Sequence, residues 1–154
     1  MVSEPMTVGQ AVKLAIREEI KAHELYMKLS KKVARPETRV MLLELAEQEL
    51  KHRRTLEEVL LDDSYTEIGS TVNDQVIWKL NPEDAPKKLK KNATPRDTLL
   101  FAIREEFRAS ELYSDLAKYL AGTELENIFT RLSNEEQNHR TLLEQELEKS
   151  YQMS

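Results

Sequence analysis

The chain has 154 residues, a formal net charge of −5 at pH 7, no cysteine and only three glycines. These features exclude disulfides, thiolate catalysis and cysteine-ligated clusters in this chain, and argue against nucleic acid as a partner. Because no apolar run approaches about 20 residues and residues 1–10 lack a leader pattern, we expect no membrane span and one cytoplasmic domain over residues 1–154.

The first two predicted helices form an antiparallel hairpin. Thr7 and Gln10 have the spacing of a capping box, and an apolar stripe favours a helix over about residues 8–33. Pro36 disfavours helical geometry in the residue before it, so the second helix is predicted over about residues 37–61. So short a connection makes the two helices neighbours.

Residues 62–93 break the helical pattern. They contain several turn signals, the apolar group Val76-Ile77-Trp78, and a basic cluster at 87–91 that we interpret as a solvated turn. The length suits a crossover that runs along a bundle, and we expect it to start the third helix at the same end as the first. Trp78 is the expected contact of this crossover with the bundle or with a second copy, and we predict a homodimer.

The remaining two helices form a second hairpin. Thr94 as cap and Pro95 at the first helical position predict a helix over about residues 95–121, which Gly122 ends with a left-handed cap. Thr123 and Glu126 are the predicted cap of a helix over about residues 124–149. The predicted fold class is all-α, a four-helix bundle of two hairpins joined by a long crossover.

The two hairpins repeat one another in sequence. Residues 15–57 align with residues 102–144 without a gap, and 19 of the 43 positions are identical. A constant offset of 87 residues relates the two halves. The repeat indicates an internal duplication and predicts a pseudo-two-fold axis between the hairpins.

Six of the repeated residues are polar but occupy stripe positions that Leu, Ile, Val and Phe otherwise fill. Ionised side chains are costly to bury, so four carboxylates near one axis need cations or protons. One carboxylate from each of two helices and a Glu-x-x-His pair from each of two others is the ligand set of a di-iron bundle. Oxygen and nitrogen donors without thiolate suit iron or manganese. The six predicted metal ligands are Glu19, Glu49, His52, Glu106, Glu136 and His139.

Several neighbouring residues allow two interpretations. Tyr26 and Tyr113 lie two turns after a predicted ligand glutamate, either as core aromatics or as donors that orient ligands or supply a proton or electron. His23, whose counterpart in the repeat is Ser110, is either a hydrogen-bonded core or rim residue, or a residue that supports a ligand or lines an access channel. The sequence leaves open whether the residues adjacent to predicted ligands contact the site, namely Glu18, Glu105 and Glu135.

At these residues the sequence resembles the rubrerythrin branch of the ferritin-like superfamily. The matching text is Ala-Ile-x-x-Glu-x-x-x-x-Glu-x-Tyr in helices one and three, and Glu-x-x-His in helices two and four. The resemblance implies a ferritin-like bundle that holds two iron ions, with manganese as the alternative. Glu49 and Glu136 would bridge the metals. Each metal would also receive a terminal glutamate and one histidine nitrogen, from Glu19 and Glu106 and from His52 and His139.

Two features depart from the family pattern. Rubrerythrins usually carry a four-cysteine rubredoxin module that delivers electrons, so this chain would need an external donor such as a separate rubredoxin. They also carry a glutamate three residues after the helix-three ligand, where this chain has Ala109, matching Ala22 in the first half. The six-ligand site is closer to bacterioferritin-type sites.

Three functions remain open at this point. The leading hypothesis is an oxidoreductase that reduces peroxide or dioxygen at a di-iron or di-manganese site. The second is an iron-binding, ferroxidase-type protein that handles metal without sustained turnover. The third is a structural bundle whose ligand pattern is vestigial.

Overall fold

The computed structural model describes residues 7–62 and 89–152 of the chain. These ranges contain four helices and no strand, and 85% of the described residues are helical. The helices are α1 (Val8–Ser30), α2 (Pro36–Leu61), α3 (Pro95–Tyr119) and α4 (Glu124–Gln152). The predicted all-α four-helix bundle is confirmed. Most of the predicted crossover, with Trp78, lies outside the described residues.

Local caps begin the helices largely where the sequence predicts. Thr7 and Gln10 form a reciprocal capping box at the start of α1, and Thr94 and Asp97 form another at the start of α3. These pairs satisfy backbone donors that would otherwise lack partners in the first turn. Gly122 has a φ of 86°, in the left-handed region that favours glycine.

At the start of α4, the predicted capping box between Thr123 and Glu126 is wrong, because the side chains of these two residues bond to other groups. The Thr123 hydroxyl donates to Leu120 O over 2.7 Å, and the Glu126 N–H donates to the backbone carbonyl of Thr123 over 3.2 Å. The Glu126 carboxylate instead accepts from the Gly122 N–H over 3.2 Å. The glutamate therefore bonds to the connecting turn, one residue before the threonine.

The end of α1 comes three residues before the predicted boundary. At this end Lys31 N donates to Lys28 O and Lys32 N to Leu29 O, so the chain turns more tightly than an α-helix. The guanidinium N–H groups of Arg39 on α2 then donate hydrogen bonds to the carbonyls of Ser30 and Val33, over 3.1 and 3.4 Å. These bonds satisfy carbonyls that the helix end leaves without partners. The end of α3 comes two residues before its predicted boundary, and the end of α4 comes three residues after.

Neighbouring helices in the bundle are antiparallel. α1 and α4 each lie against both α2 and α3. The expectation that α3 starts at the same end as α1 is wrong, because Leu99 near the start of α3 belongs to the same cluster as Leu29 and Val33 at the end of α1. α2 already returns the chain to the end where α1 begins. A connection along the bundle must therefore start α3 at the opposite end.

Two apolar clusters fill the two ends of the bundle. The first contains Val12, Leu56, Leu116 and Phe129, and the second contains Leu29, Leu42, Leu45 and Leu143. Each cluster draws on all four helices. The polar residues predicted as ligands lie between these clusters in the sequence of every helix, so the apolar ends position a polar middle layer.

Candidate metal centre

The middle layer of the bundle brings together all six side chains that the sequence predicts as ligands. Each of them is at most 3% exposed, although all are ionisable. Glu19 comes from α1, Glu106 from α3, and the two Glu-x-x-His pairs from α2 and α4. The three-residue spacing within each pair aligns carboxylate and imidazole on one helix face.

The six residues form two overlapping sets of four that could each hold a metal ion. The shared members are Glu49 and Glu136, and in each set the candidate ligand atoms lie within 4.8 Å of one another. Glu19 and His52 complete one set, whereas Glu106 and His139 complete the other. Both sets therefore contain residues from both hairpins.

The distances from His52 to its neighbouring glutamates match those from His139 to the glutamates 87 positions away in the repeat. His52 Nδ1 lies 2.7 Å from Glu136 Oε1 and 3.6 Å from Glu19 Oε2. His139 Nδ1 lies 2.8 Å from Glu49 Oε1 and 3.6 Å from Glu106 Oε2. The two imidazole rings stack with centroids 5.6 Å apart and planes 11° from parallel.

The inward atoms of the cluster converge without bonding to one another. Buried polar atoms in proteins nearly always have hydrogen-bond partners, so orphans require an explanation. Here the short distances do not have hydrogen-bond geometry, and one inward atom of every predicted ligand lacks a partner. A metal ion would satisfy this set of oxygen and nitrogen donors, which therefore fits the predicted metals. The orphan atoms are Glu19 Oε2, Glu49 Oε1, His52 Nδ1, Glu106 Oε2, Glu136 Oε1 and His139 Nδ1.

Without a bound cation, burial and mutual repulsion disfavour the ionised form of some carboxyls in the cluster. Burial, reinforced by the neighbouring Glu106 charge, raises the pKa of Glu49 and of Glu136 well above the ordinary value of 4.5. Burial alone would also raise the pKa of Glu19, but nearby Glu49, His52 and Tyr113 outweigh it and lower that pKa. Cations would stabilise the ionised forms of the raised pair.

Two tyrosines extend the cluster across the bundle. The Tyr113 phenol donates to Glu19 Oε1 over 2.5 Å, and the Tyr26 phenol donates to Glu106 Oε1. Burial, followed by the adjacent carboxylate charge, raises the pKa of both phenols well above 10, so both stay protonated donors at neutral pH. Both tyrosines also belong to the apolar clusters, so they are core aromatics whose hydroxyls donate to predicted ligand carboxylates.

The outer nitrogens of the histidines have partners that differ in kind. His52 Nε2 lies 2.5 Å from Glu135 Oε2, whereas His139 Nε2 lies 2.6 Å from Gln48 Oε1. The sequence left the role of Glu135 open and gave no prediction for Gln48. The available signal was the repeat, since these two residues are themselves 87 positions apart.

Other residues near the predicted ligands face away from the cluster. His23 is half-buried, and its Nδ1 lies 3.0 Å from Ala46 O, which fits the hydrogen-bonded rim interpretation. Glu18 pairs with Lys21 and Glu105 pairs with Arg108 on their own helices. In these contacts Glu18 and Glu105 differ from Glu135, which contacts the predicted ligand His52.

The position at which the family pattern has an additional glutamate is Ala109 here, and its counterpart in the repeat is Ala22. Both alanines are partly buried, and each packs against one of the two apolar clusters. Among the described residues, the candidate metal sets draw on the six predicted ligands alone. The ligand set is therefore closely matched between the two halves.

A groove between α2 and α4 leads to one edge of the cluster. Its volume is about 410 Å³, and His52 lines it together with Gln48, Glu135, Lys51 and Arg131. Through His52, the groove borders one of the two candidate metal sets.

No described helix is long and apolar enough to cross a bilayer.

The comparisons with known proteins agree with this geometry. A family model described as Rubrerythrin matches residues 10–94 and 97–153. Comparisons with curated proteins and with solved structures returned no match. The family match and the buried Glu/His cluster together indicate a metal-binding site.

Proposed function

The chain belongs to the rubrerythrin family, and from this premise we propose that it is a two-metal oxidoreductase that reduces peroxide or dioxygen. The observation that carries the proposal is the set of six buried ligand atoms that point at one another without hydrogen-bond partners. Four carboxylates and two imidazoles would balance two divalent cations with little residual charge. Iron is the proposed metal, with manganese as the alternative.

The two overlapping sets suggest a role for each side chain. Glu49 and Glu136 belong to both sets and would bridge the two ions. The remaining residues would each bind one ion, as Glu19 with His52 and Glu106 with His139. When bound, the metal pair would supply two electrons, one from each ion, for reduction of peroxide to water together with two protons.

The protein's own contribution is to orient ligands and to hold protons. Tyr113 and Tyr26 each fix one oxygen of a terminal glutamate, which leaves the other oxygen of Glu19 and of Glu106 directed inward. Positioning of this kind holds ligands in place before metal or oxidant arrives. Each phenol keeps its own proton and directs it at a glutamate oxygen of the site.

Electrons must reach the site from another molecule. The chain has no cysteine to build an iron–sulfur or rubredoxin centre of its own. We therefore propose a separate redox protein such as a rubredoxin as the partner, and peroxide or dioxygen as the oxidant. The groove beside His52 is the proposed route for the small oxidant.

Metal analysis followed by rapid mixing tests this proposal. Protein purified without chelator should contain about two iron or manganese ions per chain. Glu136→Ala should lose them, whereas Glu144→Ala, which alters an exposed residue of the same helix, should retain them. The reduced protein should then be oxidised rapidly by peroxide in a stopped-flow experiment. Indifference to both peroxide and dioxygen would overturn the oxidoreductase proposal.

A second candidate is ferroxidase-type metal handling without sustained turnover. Ala109, at the position of the additional family glutamate, favours it, because the site then lacks a fifth carboxylate to exchange between redox states. A supplied reductant distinguishes the two functions. Repeated peroxide consumption supports the oxidoreductase, whereas a single oxidation followed by iron release supports metal handling.

A further inference from the structure

The outer partners of the two histidines break an otherwise matched pattern. Glu135 and Gln48 each immediately precede the glutamate of a Glu-x-x-His pair, and each contacts the histidine of the other hairpin. Their distances to Nε2, 2.5 and 2.6 Å, are nearly equal. The positions and contacts are thus equivalent, whereas the chemical groups are a carboxylate and an amide.

This difference changes how strongly each imidazole can bind a cation. With the proton on Nε2, the histidine donates outward and leaves the Nδ1 lone pair for a metal. A carboxylate acceptor carries a full negative charge and forms a charge-assisted bond, whereas an amide oxygen offers only a dipole. His52, bonded to Glu135, should therefore donate more electron density than His139, which is bonded to Gln48.

We propose that Glu135 and Gln48 are positioning residues that make the two metal positions unequal. The position formed with His52 and Glu19 binds its divalent ion more tightly than the position formed with His139 and Glu106. This inference rests on the proposed two-metal centre. It adds which position fills first and the two residues that decide the order.

The expected change in metal affinity depends on how far the Glu135 side chain is exposed to solvent. Partners behind a metal-bound histidine typically change affinity by about 10- to 100-fold when they are removed. The Glu135 side chain is 40% exposed and lies in a groove with Lys51 and Arg131. Solvent and these cations weaken its field, so we expect the lower end of that range, about tenfold.

The experiment must separate the two positions, because repulsion between two ions alone makes a second ion bind more weakly. Glu106→Ala leaves the His52 position with its terminal ligands intact, and Glu19→Ala leaves the His139 position. Co²⁺ affinity is then measured by calorimetry in each background, with and without Glu135→Gln or Gln48→Glu. Glutamine has the shape of glutamate and can accept the same hydrogen bond, so Glu135→Gln removes charge while keeping orientation.

Each variant has a distinct expected result. Glu135→Gln should weaken Co²⁺ binding about tenfold in the Glu106→Ala background and leave the Glu19→Ala background within about twofold. Gln48→Glu should strengthen binding about tenfold in the Glu19→Ala background alone. Unchanged affinity in the first case, or equal losses in both backgrounds, would overturn the inference.

Failure of this inference is distinguishable from failure of the proposed function. If the unaltered protein binds no Co²⁺, the metal centre itself is wrong. If it binds two ions but the variants do not act position by position, only the inequality is wrong. If either background loses all Co²⁺ binding, the affinity for the first Co²⁺ ion is measured instead in the protein that keeps all six predicted ligands. Glu135→Gln should weaken binding of this first ion several-fold, and Gln48→Glu should not weaken it.

Discussion

The phenol of Tyr113 on α3 donates to Glu19 Oε1 on α1, over 2.5 Å and across the interface between the hairpins. Tyr26 makes the reciprocal bond from α1 to Glu106 on α3. Each hairpin therefore contributes a donor that holds a carboxylate of the other. Both phenols and both carboxylates are at most 3% exposed, so these bonds join the hairpins within the core.

Removing one of these donors should destabilise the metal-free protein. Tyr113→Phe leaves Glu19 Oε1 buried without its donor, which should lower the free energy of unfolding by about 1–3 kcal/mol. Urea denaturation in the presence of chelator measures the change. Tyr119→Phe is the matched control, because Tyr119 is only partly buried on the same helix. Equal losses in the two variants would contradict a specific role for the Tyr113 bond.

Another hydrogen bond between the hairpins lies near one end of the bundle. The hydroxyl of Thr38 at the start of α2 donates to Glu146 Oε2 on α4 over 2.7 Å, and both residues are buried. Thr38→Val should lower the free energy of unfolding by about 1–3 kcal/mol, because it leaves the acceptor without this donor. In the control, Thr55→Val removes a hydroxyl that bonds only within α2, to Lys51 O. A comparable loss in this control would show that the Glu146 contact is not the cause.

The metal-free protein should lose stability as pH rises from 5.5 to 8. Burial raises the pKa of Glu49 and Glu136 above 4.5, so the stability that their protonation contributes is complete below that value and is lost as pH rises through the raised pKa. The raised pKa of His52, where Glu19 and Glu135 outweigh burial, acts in the same direction above 6.5. The lowered pKa of Glu19 adds no slope here, because it is ionised in both folded and unfolded chains.

Glutamine at position 136 tests this dependence. Glu136→Gln resembles the protonated carboxyl at every pH, so it should flatten the fall in stability between pH 5.5 and 8. The slope removed is at most about 1.4 kcal/mol per pH unit for one carboxyl. Denaturation with chelator at several pH values measures it, and Glu47→Gln, an exposed position on α2, should leave the slope unchanged. A parallel slope in Glu136→Gln would refute the assignment.

Metal should stabilise the fold. An ion that binds only the folded chain adds about 2.7 kcal/mol when its free concentration is 100 times its Kd. Thermal unfolding of the six-ligand protein should therefore shift to higher temperature with Fe²⁺ or Co²⁺ and return with chelator. Glu136→Ala should lose most of this shift, whereas Glu144→Ala should keep it. If neither metal nor chelator changes the Tm, the result would favour a vestigial site.

Sequence periodicity was sufficient to predict the helices and the inward positions of the six candidate ligands. A carboxylate in an apolar stripe stands out because its burial is costly, and the repeat showed each such residue twice. Gln48 escaped notice because an exposed glutamine is ordinary on a helix surface. Its contact with His139 joins residues 91 positions apart and depends on how α2 and α4 lie together. Periodicity within one helix carries no information on that placement.

The direction of α3 shows a different limit. The four helices were predicted with boundaries within three residues of those observed, but the end at which α3 begins was inferred wrongly. The error was one of geometry, since the second helix had already returned the chain. Contacts such as Tyr26 with Glu106 fix the antiparallel arrangement directly.

The unlike pair Gln48 and Glu135 has a consequence for what a single polypeptide makes possible. If two identical hairpins associated as separate molecules, one residue type would have to stand behind both histidines. A chain that contains both hairpins can place a carboxylate behind one histidine and an amide behind the other. Joining the halves covalently thus allows two chemically distinct histidine environments to be encoded within a nearly symmetric framework.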